Sequence, residues 1–183
     1  LLLSVVFFFN GWATREIYLF PYTTRSDIGD GWQLVFLDST IPGEDDGCLS
    51  EAELAALDEA LGAHPSLFAL VCLHHHPVVV GGAWRDEIAL QNPDDLFAVL
   101  DRHPQVRGLL FGHIHQAFDG RRGDVTLMGS PSTCFQFLYD GKGLGTADDP
   151  PGYRSLTLAP DGTLRSEQRR AGKGCSSPWA PPP

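Results

Sequence analysis

Three apolar runs of strand length, separated by two segments with helix signatures, constrain this chain more than any other feature. The runs are Gly31-Trp-Gln-Leu-Val-Phe-Leu-Asp38, Phe68-Ala-Leu-Val-Cys-Leu-His-His75 and Val106-Arg-Gly-Leu-Leu-Phe-Gly-His113. Between the first and second, Ser50 to Leu61 predicts a helix. Ser50 is its N-cap, Glu53 completes a capping box, and Leu54, Leu57 and Leu61 fall on one face. Gly62 is read as its stop. Between the second and third, Pro93 to His103 predicts another helix, with Asn92 as N-cap, Pro93 at its first position and Pro104 closing it. Apolar strands that alternate with helices pair in parallel through right-handed crossovers, so the fold class is α/β with a βαβαβ core.

After His115 the texture changes. Gln116 to Asp119 and Val125 to Met128 read as short strands around Gly120-Arg-Arg-Gly123. Tyr153 to Ala159 and Leu164 to Arg169 flank Pro160-Asp-Gly162, a strong hairpin signal. This half is therefore expected to be antiparallel. Val80-Gly-Gly-Ala-Trp84 reads as an irregular loop, and the Pro-rich tail 171–183 as disordered.

Five of the seven histidines sit where two of the apolar runs end, as His74-His75-His76 and His113-Ile114-His115. Ligands of parallel sheets bind beyond the carboxyl ends of the strands. Neutral imidazoles gathered there on rigid elements are suited to a metal ion. Adjacent strand residues point to opposite faces, so at most two of His74, His75 and His76 can share one site. Gly112 leaves room for the backbone to approach an ion closely.

Composition narrows the function. A chain of 183 residues suits one domain with a real core. Its formal net charge of −10 argues against a nucleic-acid partner, since little here would neutralise a phosphate backbone. The apolar start, Leu1 to Phe9, falls short of the roughly 20 residues that span a membrane, so no membrane partner is expected. It lacks the basic region and cleavage site of a signal peptide and reads as a buried strand. Cys48, Cys72, Cys134 and Cys175 are scattered without a Cys-x-x-Cys pair, which points to a reducing, cytoplasmic setting.

The two histidine motifs also resemble a known family. A strand ending in His-His-Pro77, then about 35 residues, then a strand ending in Gly-His-x-His115 is similar to the C-terminal half of calcineurin-like metallophosphoesterases, and within them to bacterial class III cyclic AMP phosphodiesterases. Leu49-Ser-Glu, Pro131-Ser-Thr-Cys134-Phe-Gln-Phe and Pro151-Gly-Tyr-Arg-Ser-Leu-Thr-Leu158 support the likeness, which covers residues 31–170. The resemblance implies part of an αββα sandwich and a centre of two divalent metal ions of the Fe/Mn type. It makes His75 and His113 ligands of one metal and His115 a ligand of the other. His74 and His76 match no assigned ligand and are candidates for the cleft wall or for contacts behind the ligands. Asn92 lies where the subgroup has an Asn after a variable loop, and its N-cap position explains it equally well. The implied reaction is attack by a metal-activated water on the phosphorus of 3′,5′-cyclic AMP, giving 5′-AMP.

The family's other motifs, an Asp-x-His, a Gly-Asp and a Gly-Asn-His, are absent from residues 1–30, which look unlike the family. That segment, without an initiating Met, is expected to reflect truncation or a shifted reading frame. Gly29-Asp30 and Gly123-Asp124 are read as loops, and Asp101-Arg-His103 as the end of a helix, so none supplies the missing motif. Two functions follow as expectations: a cyclic nucleotide phosphodiesterase, or a non-catalytic α/β module that binds a partner or keeps a residual metal site. An exposed sheet edge would favour a homodimer.

Overall fold

Packing on two faces of one sheet organises the molecule. The computed structural model describes residues 2–5, 25–29, 31–81, 86–138 and 145–170. In chain order the elements are β1 (Leu2–Val5), β2 (Arg25–Gly29), β3 (Trp32–Phe36), α1 (Glu51–Ala63), β4 (Phe68–Leu73) and α2 (Pro93–Leu100). They continue with β5 (Val106–Phe111), β6 (Phe118–Arg122), β7 (Val125–Gly129), β8 (Gln136–Phe137), β9 (Thr146–Ala147), β10 (Gly152–Leu158) and β11 (Leu164–Arg170). A six-stranded sheet runs β2-β3-β4-β5-β7-β6, and a three-stranded sheet runs β1-β10-β11.

Register explains why apolar residues fill most positions of the central strands. Val35, Val71, Leu109 and Leu127 lie side by side across β3, β4, β5 and β7. All four face one core, shared with Leu57 and Leu61 of α1 and Leu96, Val99 and Leu100 of α2. The alternate row, with Cys72, Leu110 and Met128, faces a second core shared with Leu156 and Leu158 of β10. A strand buried on both faces has no polar side, which is why the alternation expected of half-buried strands is missing. Helices, six-stranded sheet and three-stranded sheet thus form three layers.

Ser50 caps α1 as expected, accepting from the Glu53 N–H at 3.1 Å. Gly62 does not stop this helix, which continues to Ala63 with His64 as C-cap. His64 precedes Pro65 and sits at φ −131°, ψ 57°, outside the α region that a following proline disfavours. Helix α2 ends at Leu100 rather than His103. Its last turn tightens, with Arg102 N–H bonding Val99 O and His103 N–H bonding Leu100 O.

The expectation of an antiparallel second half holds for the hairpin β10–β11 and for β6–β7, but β7 runs parallel to β5. The chain leaves β5, skips one strand position to form β6, and returns through Gly123 (φ 56°) so that β7 fills the gap. Gly29 closes β2 instead of lying in a loop, while Gly123 does form a turn. The readings of residues 6–9 as strand, of 82–84 as loop and of 171–183 as a tail fall outside the described residues. Within the first 30 residues, β1 pairs antiparallel with β10 and β2 antiparallel with β3.

Among the described residues no helix is long and apolar enough to cross a membrane. Among the described residues Cys48 and Cys72 are free thiols.

Candidate metal centre

The centre is built at the carboxyl ends of β4 and β5, adjacent parallel strands. The segments that leave them stay together because Gly112 N–H donates to His74 O at 3.1 Å. Ile114 N–H then bonds back to Gly112 O at 2.7 Å, closing a three-residue turn around His113. That turn holds His113 at φ 61°, and His115 follows at φ 50°. Left-handed backbone at a residue other than glycine costs on the order of 1 kcal/mol or more, and such strain collects at functional sites.

The turn swings His113 onto His74 and His75. His74 Nε2 lies 2.8 Å from His113 Nδ1. The ring centroids of His74–His75, His74–His113 and His75–His113 are 4.6, 4.7 and 4.7 Å apart. One nitrogen from each of these three side chains falls within 4.8 Å of the others, a spacing that could hold a metal ion. A set of imidazoles suits borderline-soft divalent cations.

The sequence-predicted residues divide. His74, His75 and His113 come together. His115 stands apart from that group, buried against Phe135 and Phe137, with Nδ1–H donating to the Phe135 carbonyl at 2.9 Å. His76 points into the fold, fully buried, its ring 6.4 Å from that of Phe111 and its carbonyl accepting from Leu90 N–H. Asn92 does occupy the N-cap position of α2 but makes no capping bond with its side chain. It clamps the chain before α1 instead, accepting from Leu49 N–H at 3.0 Å and donating to Leu49 O at 2.9 Å.

Two contributors carried no site role in the sequence. Ser39 Oγ lies 2.8 Å from His75 Nδ1 and accepts from the His75 backbone N–H. It follows β3 at the same sheet edge, so the carboxyl-edge rule that found the histidines also reaches it. Gly47 lies against the His75 ring, where a Cβ would meet Nδ1 at 2.2 Å and the Ser39 carbonyl at 2.7 Å. No sequence signal marks that contact, because Gly47 is brought to the site by long-range pairing, with Thr40 on one side and Leu90 on the other. Gly47→Ala is expected to cost about 1–3 kcal/mol and to weaken metal binding, since the ring or the loop must move. Thermal unfolding and a Zn²⁺ titration check this, and an unchanged variant on both counts would contradict it.

Asp101 and His103, spelled like an Asp-x-His, are engaged across the outer surface. Asp101 pairs with Arg122 (Nη2–Oδ2 2.8 Å), and His103 Nε2 with Asp58 at 2.7 Å.

Burial keeps the clustered imidazoles neutral. It pushes His74 down to about 2 and His113 to about 3, each helped by its histidine neighbours, and His115 down to about 4. His75 is lowered too, by burial, against a backbone hydrogen bond to Asp45 and the carboxylates of Asp46 and Asp38. Neutral nitrogens are the form that ligates a metal. In the metal-free chain the same shifts set a pH dependence. Below about pH 6.5 unfolded histidines take up protons that the folded ones refuse, so stability falls as pH falls. The expected slope is on the order of 1 kcal/mol per pH unit for each such histidine. The effect levels off below about pH 4 as His115, then His113, protonate in the fold. Urea unfolding from pH 7 to pH 4.5 measures it, and a flat profile would contradict these environments.

No family model matches the chain. Over 140 residues it is 46% identical to the 3′,5′-cyclic adenosine monophosphate phosphodiesterase CpdA of Pseudomonas aeruginosa, covering 76% of this chain and 51% of that protein. It is 42% identical over 139 residues to the 3′,5′-cyclic-nucleotide phosphodiesterase alr5338 of Nostoc, covering 76% and 52%. The chain spans about half the length of the curated relatives it matches. Among solved structures, a dimetal phosphatase from Danio rerio superposes with a TM-score of 0.54 at 16% identity, covering 77% of this chain and 55% of that one. Across three quarters of its length the chain is thus similar to cyclic-nucleotide phosphodiesterases, and it shares the fold of a dimetal phosphatase.

Proposed function

We propose that this chain carries part of the active centre of a metal-dependent phosphodiesterase that hydrolyses 3′,5′-cyclic AMP to 5′-AMP. The observation that supports this most is the convergence of His74, His75 and His113 beyond two neighbouring parallel strands, in a chain 46% identical to a cyclic AMP phosphodiesterase. His75 and His113 would hold one divalent ion of the Fe/Mn type, with His74 beside them, and His115 would serve a second. When bound, such ions supply Lewis acidity at the phosphate and a nucleophile at neutral pH. The chain's own part is to present uncharged imidazoles from a rigid sheet edge, with Ser39 and Gly47 fixing the His75 ring. In the reaction an oxygen from water bonds to phosphorus, the bond from phosphorus to the 3′-oxygen breaks, and that oxygen takes up a proton. We place the protein in the cytoplasm, where free thiols persist, and propose a homodimer.

One observation favours a second reading. Among the described residues the candidate metal group consists of imidazoles alone. Three imidazoles with no carboxylate to bridge to a second ion would hold one metal, which describes a residual metal-binding module. Mn²⁺-dependent conversion of cyclic AMP to 5′-AMP by this chain, followed by ³¹P NMR, supports the phosphodiesterase. Metal binding without turnover supports the module.

A further inference from the structure

His115 depends on an aromatic shelf that no sequence motif assigns. Its imidazole stacks on Phe137 at 4.3 Å between centroids and 14° between planes. The Phe135 ring meets it edge-on at 5.0 Å and 63°. The Phe135 carbonyl, an acceptor only, takes a hydrogen bond from Nδ1 at 2.9 Å. A neutral imidazole carries one N–H, so this bond places the proton on Nδ1 and leaves the lone pair on Nε2.

The hydrogen bond to the Phe135 carbonyl fixes one atom of the ring and still lets the ring tilt about it. The flat contact with Phe137 removes that freedom. The shelf is itself anchored: Phe137 pairs with Thr146 in the β8–β9 ladder, and its carbonyl accepts from Gln116 Nε2 at 3.3 Å. The intervening Gln136 is buried and bonds both the N–H and the carbonyl of Ser132.

We infer that Phe137 is a positioning residue, which holds His115 in the Nδ1–H tautomer with Nε2 presented to a divalent cation. The role rests on the metal-centre reading above for its purpose, though the tautomer it predicts exists without metal. Partners behind a ligating histidine fix its tautomer and typically change metal affinity by about 10–100-fold when lost. Here the stacking ring shares that task with the carbonyl.

The test uses ¹⁵N-labelled, metal-free chain, with the His115 signals identified by their loss in His115→Ala. Long-range ¹H–¹⁵N spectra are expected to show one His115 tautomer, protonated at Nδ1. In Phe137→Ala the signals should become those of a tautomer mixture, and Zn²⁺ affinity by calorimetry should fall about 10-fold. Phe137→Tyr, which keeps the flat ring, should restore both. Phe137→Leu, which keeps apolar bulk without the flat face, should behave like the alanine variant and stands in for it if that variant does not fold. An unchanged tautomer together with Zn²⁺ affinity within about twofold of the parent, in either variant, would overturn the inference. A parent chain that binds no Zn²⁺ overturns the metal-centre reading instead, and the tautomer comparison then decides the role of Phe137 alone.

Discussion

His113→Ala is expected to weaken divalent-metal binding by more than about 100-fold, since losing a ligand should exceed the roughly 10–100-fold cost of losing a partner behind one. Mn²⁺-dependent hydrolysis of cyclic AMP should disappear with it. His113 forms one corner of a near-equilateral triangle with the other two imidazoles, 4.7 Å by ring centroid from each, and bonds His74 directly. Without it two imidazoles remain. Backbone strain adds a second signature. At φ 61° alanine pays the same penalty as histidine, whereas glycine does not. His113→Gly should therefore lose metal equally and yet be more stable than His113→Ala by about 1 kcal/mol. Calorimetric titration with denaturant unfolding of both variants checks this. Retained affinity, or an alanine variant more stable than the glycine one, would contradict it.

Arg154→Ala should destabilise the chain by about 2–4 kcal/mol, the scale of a buried cavity plus buried carbonyls left without their donor, since the paired Asp119 carboxylate is 70% exposed and water can solvate it. Arg154 is almost wholly buried, at 1% exposure, between the hairpin sheet and the edge of the large sheet. Its Nε donates to Gly129 O at 3.0 Å, Nη1 to Asp119 at 2.7 Å, and Nη2 to Phe118 O at 3.2 Å. Nη1 also bonds Ser166 of β11. Alanine would leave these carbonyls short of a donor and open a cavity among Leu156, Leu158 and their neighbours. Arg154→Met restores volume but no donor, and should cost about half as much. The loss should also reach the site, because Gly129 begins the segment that carries Phe135 and Phe137. Chemical denaturation of the two variants decides this. Equal stability in both would mean that the hydrogen bonds carry the whole loss and the volume does not matter.

The parallel core was legible because its cause is local. Apolar runs end in polar turns, and the first helix between them carries an N-cap that works as read, with Ser50 accepting from the Glu53 N–H. The histidines were legible as a group because β4 and β5 end at one sheet edge, and edge position follows from topology. Their division was not. His115 separates from His113 through two left-handed backbones, a conformation that sequence spacing does not encode. Insertion of β7 between β5 and β6 was equally hidden, since a short hairpin reads the same wherever it docks. Ser39, Gly47 and Phe137 act through contacts between loops far apart in sequence, 36 residues in the case of Ser39 and His75. Asn92 shows the same limit, because its position obeyed the capping rule while its side chain answered to Leu49, 43 residues away.

The most direct measurement is anomalous diffraction at the manganese edge from crystals of this chain grown with Mn²⁺. The account predicts a peak within ligand distance, about 2.0–2.3 Å, of nitrogens from His75 and His113. Crystals that diffract well but show no peak there, or manganese only at surface carboxylates, would contradict the claim that these strand ends form a metal centre.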